Sequence, residues 1–291
     1  MLTLGAATIS KVTDLDPFVL PVDLLFPGRS LDNLRGEADV LAPDHVDFDG
    51  ANILLGLHSF VLQVGGLNIL IDSCVGELKP RPRRGDWNER QDTGYLKRLA
   101  QCGLTPEDVD VVMCTHLHAD HVGWNTRLEN GRWVPTFPNA RYVIGRKELV
   151  HWQEQERVSP GEHNHGAYAD SVLPLVEAGL VEPVDDGFSL AKGLEIVPLD
   201  GHSPGQIGLE LVHGPQERAL FCGDAIHSPV QVFRPEWSSC FCFDPARAAD
   251  VRRGLLQRSA EEGLLLLPAH LRGCCGLRAK PEGARYRPEF T

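Results

Sequence analysis

Basic residues are in short supply in this chain: 28 lysines and arginines stand against 40 aspartates and glutamates, a formal net charge of −12. A surface that negative repels phosphate backbones and anionic headgroups, which argues against nucleic-acid and membrane-surface partners. Long apolar runs are missing too. No stretch approaches the roughly 18 apolar residues of a membrane span. The first twenty residues, with Asp14 and Asp16, lack the basic-then-apolar layout of an export signal, so the expected location is the cytoplasm. The eight cysteines show no C-x-x-C spacing: Cys240 and Cys242 are two apart, Cys274 and Cys275 adjacent. Cys74, Cys102, Cys114 and Cys222 lie in or beside apolar stretches, where a thiol behaves as a small hydrophobe. There is no Gly-x-Ser-x-Gly elbow and hence no sign of a serine nucleophile. Gly/Ser linkers, low-complexity tracts and repeats are absent. Residues 51–291 therefore read as one body, with the Pro-, Leu- and Asp-rich residues 1–50 as an extended arm packed on it.

What is present is an alternation of strands and helices. Two β-rich runs, Ser59 to Val64 and Leu67 to Asp72, flank Gly65-Gly66 and predict a hairpin. A helix is expected near 93–101, stopped by Gly103. Asp110 to Cys114 reads as a buried strand, followed by a strand at 141–144 and helical stretches near 146–156 and 167–178. Strands follow near 194–199, 206–212 and 218–222. Asp244-Pro245, an N-cap with proline at the first helical position, opens a last helix that Gly263 ends. Leu264 to Leu267 form the final expected strand. Layer logic resolves this order as an α/β sandwich of two sheets flanked by helices.

The chemistry concentrates at the end of the strand 110–114. Thr115-His116-Leu117-His118-Ala119-Asp120-His121 offers four metal ligands within six residues. His116 and His118, two apart, project together from extended backbone, and Asp120 and His121 turn back from the bend that follows. Imidazoles with carboxylates suit zinc first, with manganese, iron or cobalt as alternatives. Three further ligands are expected at other strand ends: His202 in Asp200-Gly201-His202-Ser203-Pro204-Gly205, Asp224 after Phe221-Cys222-Gly223, and His270 after Pro268-Ala269. Singly each is a weak signal; their common place at one sheet edge makes them a set. Trp124, Phe26, Phe233 and Trp237 are either walls of an apolar pocket or ordinary core. His163, His165 and the cluster Arg81, Arg83 and Arg84 read as solvated loops.

The H-x-H-x-D-H segment, the Gly201-His202-Ser203-Pro204-Gly205 loop, Gly223-Asp224 and Pro268-Ala269-His270 together resemble the metallo-β-lactamase-fold superfamily over residues 55 to 272. The resemblance implies a four-layer αββα sandwich with two divalent metal ions. His116, His118 and His202 would hold one, Asp120, His121 and His270 the other, and Asp224 would bridge them. Asp72 matches the family's carboxylate that orients the ligands from behind. Ile71-Asp72-Ser73-Cys74-Val75-Gly76, the Val122 to Asn125 run and the N-terminal arm resemble the hydrolase branch of acyl-homoserine-lactone lactonases and methyl parathion hydrolase. The implied activity is hydrolysis of a small ester, lactone or phosphotriester by a metal-bridging hydroxide, with Asp120 guiding a proton to the leaving group. Gln206 stands where the family often has a non-ligand histidine. His227 stands where the lactonases carry a tyrosine against the substrate carbonyl, and it could donate a hydrogen bond or proton there. The competing reading is an oxidoreductase of the same fold, a mononuclear-iron persulfide dioxygenase. The expected partner is a small-molecule substrate, and a homodimer is left open.

Overall fold

A computed structural model describes residues 1–214 and 217–291. The chain divides into two compact units, one built from residues 6–15 and 57–186, the other from residues 2–5, 16–56 and 187–291.

In the first unit the sheet runs, in spatial order, through Ala7–Pro21, Asn52–Val64, Leu67–Ile71, Val111–Cys114, Arg141–Gly145 and Val181–Val184. The first two strands contribute their residues 7–15 and 57–64. Asn52–Val64 and Leu67–Ile71 form the expected hairpin, pairing Val64 with Leu67 across Gly65 and Gly66. Both glycines have positive φ, 59° and 82°, the backbone a two-residue turn needs to match strand twist. From Leu67–Ile71 onward the neighbours are parallel, so the strands end on one edge. Val111–Cys114 is buried at every position, as a central parallel strand requires. The helix Arg146–Val158 packs beside Arg141–Gly145. The stretch expected as one helix over 167–178 is instead a π-helical turn, Tyr168–Val172, followed by Leu173–Glu177 with Pro174 in its first turn. Proline lacks the N–H that would continue the ladder through that point.

In the second unit the order is Ser189–Ala191, Leu194–Pro198, Ile207–Gly214, Glu217–Gly223, Leu265–Pro268, Leu277–Glu282 and Arg285–Phe290. Its one parallel pair among the described residues is Glu217–Gly223 with Leu265–Pro268, joined by a crossover that contains the helix Pro245–Glu262. Asp244 caps that helix, accepting from the Arg247 amide at 2.9 Å, and Gly263 ends it at φ 71°. Leu255 and Leu256 lie on the buried face, packed with Leu220, Leu264, Leu266 and Leu277.

The N-terminal fifty residues are more regular than their sequence suggests, since Ala7–Pro21 is a fifteen-residue strand. Among the described residues no helix is long and apolar enough to cross a membrane. All eight cysteines are free thiols.

Candidate metal centre

Both units place polar side chains by the same device, a carboxylate leaving one strand beside the end of its parallel neighbour. In the first unit Ile71 is in register with Met113. Asp72 therefore emerges next to Thr115 and accepts from its amide at 2.7 Å and its hydroxyl at 2.8 Å. The same carboxylate takes His121 Nδ1 at 2.9 Å. Because an ionised carboxylate only accepts, His121 Nδ1 carries the hydrogen and Nε2 keeps its lone pair for a metal. His116 lies against both other histidines of the segment, with ring centroids 4.5 Å from His118 and 4.0 Å from His121. Thr115 Oγ1 sits 3.1 Å from His116 Nδ1. Asp120 Oδ2 is 3.9 Å from His121 Nε2 and is the more exposed of that pair.

In the second unit Gly223 is in register with Pro268, which brings Asp224 to His270. The Asp224 carboxylate faces three imidazoles: His270 Nε2 at 3.0 Å, His227 Nε2 at 3.3 Å and His202 Nε2 at 3.4 Å. Two of these rings are held from behind. His270 Nδ1 is 3.2 Å from the Gly56 carbonyl, and His202 Nδ1 is 3.6 Å from Cys242 Sγ. The His202 loop is pinned to the start of the last helix by Phe243 N donating to His202 O at 2.9 Å and Asp244 N donating to Gly201 O at 2.8 Å. Gly201, at φ 140°, is required there: a Cβ would lie 2.5 Å from the Ala248 nitrogen.

The buried thiols Cys114 and Cys222 hold their protons. Burial, with the Asp224 charge as a second cause, pushes Cys222 up to about 12. Burial also pushes Cys114 up to about 12, so both are neutral thiols at pH 7. What remains is a donor set of imidazole nitrogens and carboxylate oxygens, with His202, Asp224 and His227 close enough to share one ion. This chemistry fits a divalent transition metal.

The sequence left several supporting residues unread. Thr115, Glu148, Asn164, Cys242 and the Gly56 carbonyl all touch the ligand-bearing segments. None carries a local signal, because each acts through a partner distant in sequence or through its backbone. The four aromatics weighed as pocket walls are buried, Trp124 stacked on Tyr95 at 5.0 Å and Phe26 against Trp237 at 5.7 Å. Arg81, expected in solvent, is fully buried, because Asp170 offers it a two-pronged carboxylate at 2.6 and 2.8 Å. His163 is exposed and His165 half-buried.

The model of the metallo-beta-lactamase superfamily matches residues 54–270, most of the chain. The protein belongs to that superfamily. Its fold is the metallo-β-lactamase fold, and it is similar to metal-dependent hydrolases. It is 23% identical to N-acyl homoserine lactonase AiiB of Agrobacterium fabrum over 195 residues, 61% of this chain and 65% of the lactonase. It is 28% identical over 138 residues to the probable metallo-hydrolase Rv2300c of Mycobacterium tuberculosis, 45% of this chain and 41% of that protein. The chain thus spans less than two thirds of the length of these curated relatives. Among solved structures, AidC, a dizinc quorum-quenching lactonase, superposes with a TM-score of 0.81 at 18% identity, covering all of this chain and 96% of AidC. AbOPH, a hydrolase in the beta lactamase superfamily, gives 0.79 at 22% identity, covering all of this chain and 96% of AbOPH. At these identities the superpositions show the fold alone.

Proposed function

We propose that this superfamily member is a dinuclear metal-dependent hydrolase of a small ester, lactone or phosphotriester. His116, His118 and His202 would hold one ion, Asp120, His121 and His270 the other, with Asp224 between them. Residues 51–291 are read as one catalytic domain with residues 1–50 as its arm. The observation that carries the reading is the Asp224 carboxylate, buried and facing three imidazole Nε2 atoms at 3.0 to 3.4 Å. Three imidazoles aimed at one carboxylate, two of them braced at the opposite nitrogen, form an arrangement suited to cations. Bound there, divalent ions would supply Lewis acidity, polarising a carbonyl or phosphoryl oxygen and lowering the pKa of solvent toward neutrality.

The chain's own residues divide the remaining work. Asp120, with its side chain 16% exposed, is the carboxylate with access to solvent and would pass a proton to the departing alkoxide. His227 would donate a hydrogen bond to the substrate oxygen. Gln231 fixes its backbone, accepting from the His227 amide at 2.7 Å. The lactonases AiiB and AidC put lactones first among the candidate substrates, and the dizinc centre of AidC puts zinc first among the metals. A cytoplasmic location accords with eight free thiols.

The test is elemental analysis of zinc- or manganese-loaded protein together with hydrolysis of an acyl-homoserine lactone, an aryl ester and a phosphotriester, before and after chelation. About two ions per chain and chelator-sensitive turnover are expected. Metal content near zero with activity indifferent to chelators would overturn the reading, and oxygen uptake on a persulfide with iron bound would replace it.

A further inference from the structure

The loop that carries His118 is irregular, yet its backbone is held on both sides of that residue. The Leu117 amide donates to Glu148 Oε1 at 3.0 Å. The Leu117 carbonyl accepts from Asn164 Nδ2 at 2.6 Å, and the Ala119 amide donates to Asn164 Oδ1 at 2.9 Å. One carboxamide therefore engages the chain before and after His118, as a neighbouring strand would. Glu148 is fully buried, and its Oε1 also accepts from Trp152 Nε1 at 2.6 Å. The Trp152 ring stands edge-on to His118 with centroids 5.7 Å apart.

Asn164 presents its carboxamide from a left-handed turn. Its φ is 48° and that of His165 is 56°. Two successive non-glycine residues in this region are uncommon, so something must hold the turn. Arg81 is well placed to do so. Its Nη1 donates to the His165 carbonyl at 3.0 Å while its two terminal nitrogens grip Asp170. Lys79 Nζ, also fully buried, is 3.7 Å from Asp170 Oδ1. A buried arginine and a buried lysine on one buried carboxylate are a poor way to gain stability, since apolar residues of similar volume usually do as well. Asp170 also sits in the π-helical turn Tyr168–Val172, a distortion that tends to occur at functional sites.

We propose that Asn164 is a positioning residue that sets the direction of the His118 ring through its grip on Leu117 and Ala119, and that the buried Lys79–Arg81–Asp170 cluster holds the turn presenting it. The proposal rests on the metal-site reading for what His118 does. Asn164→Gly keeps the left-handed backbone and removes both hydrogen bonds. Asn164→Asp keeps the acceptor for Ala119 and loses the donor to Leu117. Asp108→Ala, which breaks the exposed capping box with Thr105, serves as a comparator at the opposite end of the strand that leads to His116. Zinc affinity by chelator competition, the visible spectrum of cobalt-loaded protein and thermal unfolding of metal-free protein are measured for all four proteins. Asn164→Gly should weaken zinc binding by about 10–100-fold and alter the cobalt bands. Asn164→Asp should fall between it and the native protein, and Asp108→Ala should move neither readout. Should Asn164→Gly not fold, Asn164→Asp alone decides. Native zinc affinity with an unchanged cobalt spectrum in the Asn164 variants overturns the proposal. A native protein that takes up no zinc or cobalt overturns the metal-site reading first, and this proposal with it.

Discussion

Replacing Asp72 by asparagine is the sharpest perturbation of the proposed site, because it changes charge and hydrogen placement while nearly preserving shape. Asp72 is buried and accepts from the Thr115 amide, the Thr115 hydroxyl and His121 Nδ1 at 2.7 to 2.9 Å. In Asp72→Asn the new carboxamide would keep its oxygen on the Thr115 amide and turn its NH₂ toward the other two partners. The Thr115 hydroxyl can rotate to accept, at little cost. His121 cannot adapt so freely: to accept at Nδ1 it must move its hydrogen to Nε2, the atom proposed to bind metal. Undoing that tautomer costs a hydrogen bond to a charged group, about 1.5–3 kcal/mol, or about 10–150-fold in metal affinity. Asparagine also tolerates the left-handed backbone of residue 72, φ 57°. Asp72→Ala differs in kind. It leaves the Thr115 amide and His121 Nδ1 buried and unmet, about 1–3 kcal/mol each, and adds about 1 kcal/mol of backbone strain. At about 2–4 °C per kcal/mol its metal-free form should melt roughly 6–28 °C lower, while Asp72→Asn stays close to native. Chelator competition and thermal unfolding of the apo proteins measure both effects. If Asp72→Asn bound zinc as tightly as the native protein, His121 would not owe its tautomer to Asp72 and the argument would be wrong.

Four further outcomes are expected. Gly123→Ala should be destabilised by about 1–3 kcal/mol or more, because its Cβ would lie 1.8 Å from the Val75 carbonyl oxygen. The exposed mid-helix Gly254, with no neighbour within 4 Å, should gain about 0.5–1 kcal/mol on mutation to alanine; urea denaturation compares the two. Burial, opposed by Asp170 and aided by Arg81, pushes the Lys79 ammonium from 10.5 down to about 7. Between those values the unfolded chain holds a proton the folded one has released, so stability should rise with pH across that window. The rise is at most about 1.4 kcal/mol per pH unit and should be absent from Lys79→Met, as urea titrations at pH 7, 8 and 9 would show. His227→Ala should lower kcat by about 10²–10³-fold with metal content unchanged if the imidazole donates to the substrate oxygen. His227→Tyr should retain more activity, and metal loss in His227→Ala would instead mark the residue as a ligand.

What could be read from the sequence was local or confined to strand ends. The hairpin at Gly65-Gly66, the capped helix Pro245–Glu262 and the buried strand Val111–Cys114 each carry their signal within a few residues. Seven of the candidate site residues were legible for a related reason, whereas His227 was singled out only by the resemblance to the lactonases. Histidines and aspartates directly after short apolar strands must emerge at a sheet edge, and parallel neighbours in register set such ends side by side, as Asp72 with Thr115 and Asp224 with His270. The hairpin Thr126–Glu129 with Arg132–Pro135 also had a local sign, Asn130-Gly131, with φ 50° and 75°, but its strands carry arginine and glutamate in place of a clear alternation.

Arg81 shows where such reading stops. Beside Arg83 and Arg84 it looks like part of a solvated loop, and an unpaired arginine would be. Its burial depends on Asp170, 89 positions away, and on a π-helical turn that no periodicity announces. The same holds for Asn164, whose partners Leu117 and Ala119 offer only backbone atoms and so leave no mark in composition. Ligands are visible because chemistry restricts their residue types; the groups that aim them are restricted only by geometry. If Asn164 and Asp72 set the site as argued, affinity for metal should respond to residues that never touch it, and two proteins with identical ligand motifs could differ in metal binding through these positions alone.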